Sequence, residues 1–222
     1  MEIKLTKNIS YLIGFMIGDG NLAADCSKNL VRMSEENEEL VYEIKDMFRK
    51  EFNENMKIYF DTYNNSFVLY KYSEKLWKYF VDEMKILSGT KSRIVRVPDQ
   101  IMKTTDENKA AFLSGIFDAE GSVLNIKQKK SHPRGYLRIQ FKVSSKNLAH
   151  EIYILLQELG MKPRIHNYEY RKEICSFIHL NGKEQGKLFL KKVGFKHRIK
   201  NKKLNTFFNE IHGTGSLSLW RG

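Results

Sequence analysis

The sequence is poor in cysteine and has no long apolar run. Its 222 residues include two cysteines, Cys26 and Cys175, which are too few for a disulfide framework and lack the CxxC spacing of a zinc site. Apolar runs such as residues 11–18 fall far short of the roughly 18 to 20 residues that a membrane helix needs. The N-terminus carries no signal-peptide or transit-peptide pattern. We therefore expect an intracellular protein without membrane contact, in the cytoplasm or nucleoid or in an organellar matrix.

Acidic residues are scarce in the second part of the chain. Residues 1–95 hold 14 basic and 15 acidic side chains, whereas residues 96–222 hold 24 basic and 11 acidic ones. The excess that gives the formal net charge of +12 therefore lies entirely in the second part. This asymmetry is typical of a face that binds nucleic acid, although a lysine-rich solvated surface has the same composition.

The chain repeats itself at a spacing of 101 residues. Tyr11-Leu-Ile-Gly-Phe-Met-Ile-Gly-Asp-Gly20 is similar to Phe112-Leu-Ser-Gly-Ile-Phe-Asp-Ala-Glu-Gly121, and both are apolar segments that end in a small residue, an acid and a glycine. Each motif is followed by the patterns of a hairpin, a helix, a second hairpin and a closing helix, which predicts a duplicated α+β unit. We expect one half over residues 1–95, a linker over 96–106 and a second half over 107–222, because Val97-Pro98 breaks the pattern and Thr105-Asp106 begins a helix.

The repeat also predicts the elements between the motifs. Apolar periodicity indicates helices over residues 36–52 and 146–159, with Ser34 and either Ser144 or Ser145 as their N-caps. Aligning residues 30–34 with 140–144 makes Arg32 equivalent to Lys142. The later hairpins are expected at 57–62 with 67–72 and at 164–170 with 174–180, and the closing helices at 74–84 and 183–193.

Small residues four positions apart predict that the two motif helices pack closely against each other. Such packing would bring the helix ends together and place Asp19 beside Glu120. Two adjacent carboxylates repel unless a cation lies between them, and hard oxygen ligands favour Mg²⁺. A single such motif is more often a buried helix with a glycine at its end, but two copies favour a metal site. The small-residue pairs are Gly14 with Gly18 and Gly115 with Ala119.

The two motifs resemble the signature motifs of the LAGLIDADG homing endonucleases, in the single-chain, two-motif form that introns encode. The resemblance extends from about Lys7 to Phe208. It implies an α+β fold of two pseudo-symmetric αββαββα halves, with the motif helices paired at the interface and the antiparallel sheets forming a saddle on double-stranded DNA. It further implies a monomeric, site-specific endonuclease that breaks both strands of a long asymmetric target and initiates intron mobility.

The resemblance assigns the metal site by position. It makes Asp19 and Glu120 the catalytic metal ligands, with the backbone carbonyls of Gly18 and Ala119 as further ligands, and Mg²⁺ as the cofactor for which Mn²⁺ substitutes. Such a metal would lower the pKa of a bound water and neutralise charge on the phosphate. Asp118 is expected at a helix-packing or surface position instead.

Members of this family often place a lysine near the site. Lys75 and Lys183 follow the second hairpins at equivalent positions and are our candidates for this catalytic role, the alternative being ordinary surface lysines at helix starts. Arg32 and Lys142 are weaker candidates for catalytic assistance and better ones for DNA contact.

Alternating strands supply candidates for reading DNA. Arg138, Gln140 and Lys142 alternate with apolar residues along 137–143, as on a half-solvated sheet, and suit base edges in the major groove. The basic run over residues 191–203 is expected to contact the DNA backbone. The other DNA-binding candidates are Asn125, Lys127, Lys129, Arg134, Arg164, His166 and Tyr168 in the second half and Arg32, Lys57, Tyr59 and Lys71 in the first.

Two other functions use the same scaffold. An RNA-binding maturase would help its intron fold, and intact Asp19 and Glu120 count against a pure maturase without excluding a dual role. A non-cutting transcription regulator is disfavoured because no separate helix-turn-helix pattern is present. The sequence lacks the terminal residues of a splicing element, so an intron product is expected rather than an intein, while the target sequence and host gene stay open.

Overall fold

The computed structural model of the chain describes residues 4–25, 28–89, 93–126, 136–170 and 173–212. The first half consists of α1 (Lys7–Asp19), β1 (Gly20–Asp25), β2 (Lys28–Glu35), α2 (Glu38–Phe52), β3 (Lys57–Asp61), β4 (Ser66–Tyr72) and α3 (Glu74–Lys78), which continues as a π-helical turn over Tyr79–Glu83. The rest consists of α4 (Asp99–Met102), α5 (Asp106–Glu120), β5 (Gly121–Ile126), β6 (Tyr136–Val143), α6 (Lys146–Glu158), β7 (Arg164–Tyr170), β8 (Glu173–Asn181), α7 (Lys183–Lys192) and α8 (Arg198–His212). Within the described ranges, no helix is long and apolar enough to cross a membrane.

The two halves contain the same kind of sheet. The strand order is β1-β2-β4-β3 in the first and β5-β6-β8-β7 in the second, and all neighbouring strands are antiparallel. The predicted α+β fold with two similar halves is confirmed. The second hairpins lie within one residue of their predicted bounds.

The motif helices α1 and α5 pack side by side at the centre of the molecule. Their buried faces belong to one apolar core that continues into both halves, from Ile9 to Phe208. Each helix passes directly into a strand, at Gly20 and Gly121. A Cβ at either glycine would meet the backbone and side chain of the helix residue four positions earlier, which is why glycine stands there.

The strand register corrects the alignment of the two halves. Gly20 pairs with Met33 and Gly121 pairs with Phe141, so Arg32 is equivalent to Gln140, and the predicted equivalence with Lys142 is wrong. The N-caps agree with this register: Asn37 Oδ1 accepts a hydrogen bond from the Leu40 amide, and Ser145 Oγ accepts one from the Leu148 amide. Ser145 is the N-cap as predicted, whereas Ser34 is not, because the first helix begins later.

Helices α4 and α8 were not predicted, nor were two segments, 95–97 and 196–198, that we call straps because each crosses to a helix of a sheet-containing half. Helix α8 begins inside the basic run and buries Leu204 and Phe208 against the second half. Residues 95–97, which precede α4, lie against α6: Ser145 Oγ donates to the Val95 carbonyl and the Val97 amide donates to Glu151 Oε2, at 2.7 Å each.

The segment 196–198, which precedes and opens α8, crosses in the opposite direction to α2 of the first half. Lys196 Nζ lies 3.3 Å from Glu43 Oε2, and an Arg198 guanidinium nitrogen lies 2.6 Å from Glu39 Oε1. Glu43 and Glu151 occupy equivalent places, each six residues after the N-cap of its helix. Residues 95–97, which come after the first half in the chain, therefore hold the second half. Residues 196–198, which come after the second sheet, hold the first half.

Candidate metal centre and nucleic-acid interface

The carboxyl ends of α1 and α5 lie against each other. A Cβ at Gly18 would clash with the Ala119 Cβ and would lie 3.2 Å from Glu120 Cγ. Asp19 and Glu120 are the last residues of their helices, and both are exposed. The close approach predicted from the small residues thus brings the two motif acids to one place on the surface.

Two hollows flank this place, and each combines the acid of one motif with the small residue of the other. The first, about 450 Å³, is lined by Glu120 and Gly18. The second, about 360 Å³, is lined by Asp19 and Ala119. We call them the Glu120 hollow and the Asp19 hollow. This crosswise arrangement agrees with a two-fold relation between the motif helices, in which a Cβ at Gly14 would meet the Phe112 carbonyl and a Cβ at Gly115 the Tyr11 carbonyl.

The Asp19 hollow contains titratable groups that the sequence did not single out. Burial raises the pKa of Glu35 to about 7, against a hydrogen bond from the Asn37 amide that lowers it. Burial and the nearby Lys200 ammonium lower the pKa of His197 to about 4, so its imidazole is neutral at pH 7. His197 Nε2 lies 3.5 Å from Glu35 Oε1.

Lys200 is the central cation of the Asp19 hollow. Its Nζ donates to three consecutive carbonyls at the end of α5: Phe117 at 3.3 Å, Asp118, and Ala119 at 3.2 Å. The Phe117 carbonyl also accepts a hydrogen bond from the Gly121 amide. The last carbonyls of a helix lack intrahelical donors, and a positive charge at a helix C-terminus is favourable. Burial lowers the pKa of Lys200, while the carboxylates of Asp118, Glu35, Asp19 and Glu120 oppose this.

Asp118 is among the residues that line the Asp19 hollow, but its carboxylate is engaged in packing the molecule together. Its carboxylate is buried and accepts hydrogen bonds from the Tyr11 hydroxyl at 2.7 Å, the Lys196 amide at 2.9 Å and the His197 amide at 3.1 Å. Burial raises its pKa to about 6 despite these donors. Of the two positions expected for Asp118, helix packing is the one observed.

The donor set of the hollows fits a hard divalent cation. Each hollow contains one of the two motif acids and lies beside a backbone carbonyl at a helix end, and Glu35, Glu36 and Asp118 also line the Asp19 hollow. Carboxylate and carbonyl oxygens are what Mg²⁺ binds together with water and phosphate. Among the described residues no group of three or more His, Cys, Asp or Glu side chains gathers to hold a metal. An ion here would thus depend on Asp19, Glu120, backbone oxygens and its own water or phosphate ligands.

The predicted catalytic lysines line neither hollow. Lys75 donates from Nζ to the Phe52 carbonyl at 2.7 Å and so ties α3 to the end of α2, and Lys183 is the first residue of α7. Lysines do line the hollows at other places: Lys200 in the Asp19 hollow and Lys142 in the Glu120 hollow. The spacing of Leu204, Phe207 and Phe208 predicts a helix through the basic run, but it does not distinguish Lys200 from the other lysines there.

The outer face of the second sheet carries the strongest candidates for base contact. Residues paired directly across antiparallel strands share a face, and Gln140 pairs with His179, which pairs with Arg164. The Arg138 Nε donates to Asn181 Oδ1 at 2.9 Å, which holds its guanidinium in place. The members of this face that the sequence predicted are Arg138, Gln140, Lys142, Arg164, His166 and Tyr168.

His179 belongs to the same face and was missed. It is buried beneath its neighbours, and neither of its ring nitrogens has a hydrogen-bond partner among the residues that the structure describes. Burial, Arg138 and His166 lower its pKa to about 4, so the ring is neutral with one donor and one acceptor. No pattern in the sequence separates this histidine from the other five.

The outer face of the first sheet is richer in tyrosine. Tyr70 pairs with Arg32 and with Lys57, so these three side chains share the face, together with Tyr59. The Tyr59 and Tyr70 rings lie 5.6 Å apart, edge to face. Three of the four residues predicted here, Arg32, Lys57 and Tyr59, therefore lie on one surface.

Two predicted DNA contacts lie on the opposite face. Lys71 pairs with the buried Val31 and forms an ion pair with Glu54, so it faces the helices of the first half. Asn125 pairs with the buried Leu137, on the side where α8 packs. Placing these two residues with the outward sets was wrong, because the alternation along each strand assigns them inward. Lys127, Lys129 and Arg134 lie outside the described residues.

The basic run is only partly available to DNA. Lys196 and Arg198 are paired with acids of α2, and Lys200 is bound to the end of α5. Lys202 and Lys203 are exposed on α8. Lys196 and Arg198 thus fasten the second half to the first, while Lys191 and Lys192 are exposed like Lys202 and Lys203.

Comparison with known proteins gives the following relatives. The profile of the LAGLIDADG-like domain family matches residues 107–194. A glutamine–fructose-6-phosphate aminotransferase of Methanocaldococcus jannaschii is 26% identical over 216 residues, covering 94% of this chain and 18% of that protein. The tRNA-splicing ligase RtcB of Pyrococcus furiosus is 24% identical over 210 residues, covering 87% and 22%. The chain thus spans about a fifth of the length of these curated relatives.

The fold is that of a solved homing endonuclease. The crystal structure of I-DmoI in complex with DNA and Mn superposes with a TM-score of 0.61 at 19% identity, covering 86% of this chain and 98% of that one. At this identity the likeness concerns the fold.

Proposed function

We propose that the chain is a LAGLIDADG endonuclease that cuts DNA at a specific site and breaks both strands of its target. The match of residues 107–194 to the LAGLIDADG-like domain, the two motifs in one polypeptide and the shared fold support this. The observation that carries the proposal is the crosswise pairing of Asp19 with Ala119 and of Glu120 with Gly18 in two adjacent hollows. Two hollows provide one site for each strand within a single chain, which needs no second copy.

Each part of the site has a role in hydrolysis. Asp19 and Glu120, with the carbonyls beside them, would hold Mg²⁺, or Mn²⁺ in its place. The metal, when bound, lowers the pKa of a water and neutralises charge on the phosphate. The outward faces of the two sheets bind and orient the duplex, with Arg138 and Gln140 contacting base edges. Lys142 lies where it would contact the phosphate at the Glu120 hollow.

The relatives support a role in the mobility of an inserted element. An aminotransferase and a tRNA ligase have unrelated chemistry, yet each matches this chain over about 210 residues. A segment common to such proteins does not carry the activity of either. We propose that the double-strand break made by this chain begins the copying of the intron that encodes it.

The test is cleavage of a plasmid library that carries randomised or intron-flanking sites, in Mg²⁺. We expect linearisation at one long site, abolished by Asp19→Asn and by Glu120→Gln and retained by Asp46→Asn, which alters an exposed acid on α2. Strand-specific labels would show which strand each acid serves. Failure to cut any site, with tight Mg²⁺-dependent binding to intron RNA, would refute the endonuclease and favour the maturase.

A further inference from the structure

The two hollows differ in the side chain that lies beside the small residue at the end of each motif helix, Ala119 in one hollow and Gly18 in the other. In the Asp19 hollow, Lys200 donates to the Ala119 carbonyl, the oxygen that the metal would use together with Asp19. The Lys200 ammonium has three donors, and the carbonyls of residues 117–119 accept all of them. A positive charge is thus already fixed at the metal-binding oxygen.

A second internal repeat identifies the counterpart of Lys200 in the other hollow. The tetrapeptides Lys-Ser-Arg-Ile at 91–94 and Lys-His-Arg-Ile at 196–199 are separated by 105 residues. Each follows a glycine with positive φ, Gly89 at +77° and Gly194 at +71°. The next residue is Val95 in the first copy and Lys200 in the second. Val95 lines the Glu120 hollow as Lys200 lines the Asp19 hollow, so the repeat holds in space as well.

Valine cannot donate a hydrogen bond and carries no charge. The lysine of the Glu120 hollow, Lys142, comes instead from the outer face of β6, where it is exposed and lies 5.7 Å from the Phe177 ring. Its counterpart by strand register is Ser34, which lines the Asp19 hollow. Among the described residues each hollow therefore has one lysine, and of these two it is the lysine of the Asp19 hollow that is bound to the carbonyl end of a motif helix.

We infer that Lys200 makes the two metal positions unequal, so that the Asp19 hollow binds a divalent cation more weakly than the Glu120 hollow. A fixed ammonium repels a divalent ion at short range and competes with it for the Ala119 oxygen. The inference rests on the proposed function, because it takes both hollows to be metal sites. It deepens that function by giving the two strands different metal requirements.

The test is a titration of the whole chain with Mn²⁺, followed by electron paramagnetic resonance of the free ion, without DNA. We expect two sites of unequal affinity in the wild type. Glu120→Gln should remove the tighter site, and Asp19→Asn should remove the weaker one. Lys200→Met should tighten the Asp19-dependent site by about tenfold, because a unit charge a few ångströms away is removed from a partly buried position.

Two variants separate charge from folding. Lys200→Gln keeps an N–H donor for the α5 carbonyls without the charge, and should also tighten the Asp19-dependent site. Lys142→Met removes an exposed lysine from the other hollow and should leave the Asp19-dependent site unchanged. Near-ultraviolet circular dichroism shows whether each variant retains its tertiary packing. The order of the two Mn²⁺ affinities in the wild type tests the inference independently, because it needs no substitution at Lys200.

The outcomes are distinguishable from those of the proposed function. Two equal sites, no Mn²⁺ binding, or a weaker site removed by Glu120→Gln would overturn the inference even if the protein cuts DNA. Unequal sites with the expected response to Lys200→Gln would support it even if no plasmid is cut, in which case the endonuclease proposal fails by itself.

Discussion

Replacing Gly115 by alanine should force the two motif helices apart. A Cβ at Gly115 would lie within 3.0 Å of both the carbonyl carbon and the carbonyl oxygen of Tyr11 on α1, whereas ordinary contacts lie at 3.4–4 Å. These backbone atoms cannot turn away, because the surrounding residues Ile9–Ile17 are all buried. The helices must therefore separate by up to about 1 Å, a gap that forfeits a quarter to a half of the dispersion energy at the contact.

The magnitude follows from three contributions. Overpacking costs about 1–3 kcal/mol, occasionally more, and the lost contacts add to it. Alanine returns about 1 kcal/mol through its better helix propensity. We expect the free energy of unfolding, measured in urea, to fall by about 2–3 kcal/mol, and the Tm to fall by about 4–10 °C.

Gly186→Ala is the matched control. Gly186 is also inside a helix, α7, but a Cβ there meets the end of the Leu137 side chain, a methyl group that turns aside, and the Phe208 ring at 3.1 Å. We expect its free energy of unfolding to change by less than about 1 kcal/mol, as cost and propensity offset each other. If Gly115→Ala were as stable as Gly186→Ala, the close backbone contact between α1 and α5 would be refuted.

Three further substitutions test separate parts of the structure. Burial raises the pKa of Glu35 to about 7 from 4.5, so the stability that its protonated form contributes is complete below pH 4.5 and is lost as the pH rises through 7. Glu35→Gln should therefore raise the free energy of unfolding by about 2–3 kcal/mol at pH 8 and change it little at pH 4; equal changes at both values would contradict the burial argument. Glu151→Ala should cost about 1–3 kcal/mol in urea denaturation, because the Val97 amide loses its buried acceptor, and an unchanged midpoint would show that the strap adds no stability. In competition binding to the selected target duplex, Gln140→Ala should lose about 1–3 kcal/mol of discrimination, whereas Asn125→Ala should lose none; a larger loss for Asn125→Ala would reverse the assignment of the two faces.

The motif pair made the fold and the position of the two acids predictable. The spacing of Gly14, Gly18, Gly115 and Ala119 specifies how closely the helices approach, and the acid after each last small residue must then lie at the helix end. Each motif lies within ten consecutive residues, so a single sequence is enough to recognise it.

The rest of the site depends on contacts between distant parts of the chain. In the sequence Lys200 is indistinguishable from the other lysines of the run 191–203. Its hydrogen bonds to the carbonyls at the end of α5, which depend on the folded chain, set it apart. The pKa of Glu35 is raised and that of His197 is lowered because the two side chains, which come from opposite halves, are buried side by side. The equivalence of Arg32 with Lys142 was wrong because sequence similarity placed residues 30–34 two residues out of step. Lys71 and Asn125 were misplaced because the alternation is hard to read near the ends of strands.

The straps over residues 95–97 and 196–198 are exchanged between the two halves, because each packs on the half other than the one whose sheet directly precedes it in the chain. In a symmetric pair of identical chains, each copy would clasp its neighbour in this way, and every change in one copy would appear in the other. In one continuous polypeptide both straps are retained, but equivalent positions of the two halves can carry different residues, as Val95 and Lys200 do. Each strap can then be altered to suit the half that it clasps, without altering the other.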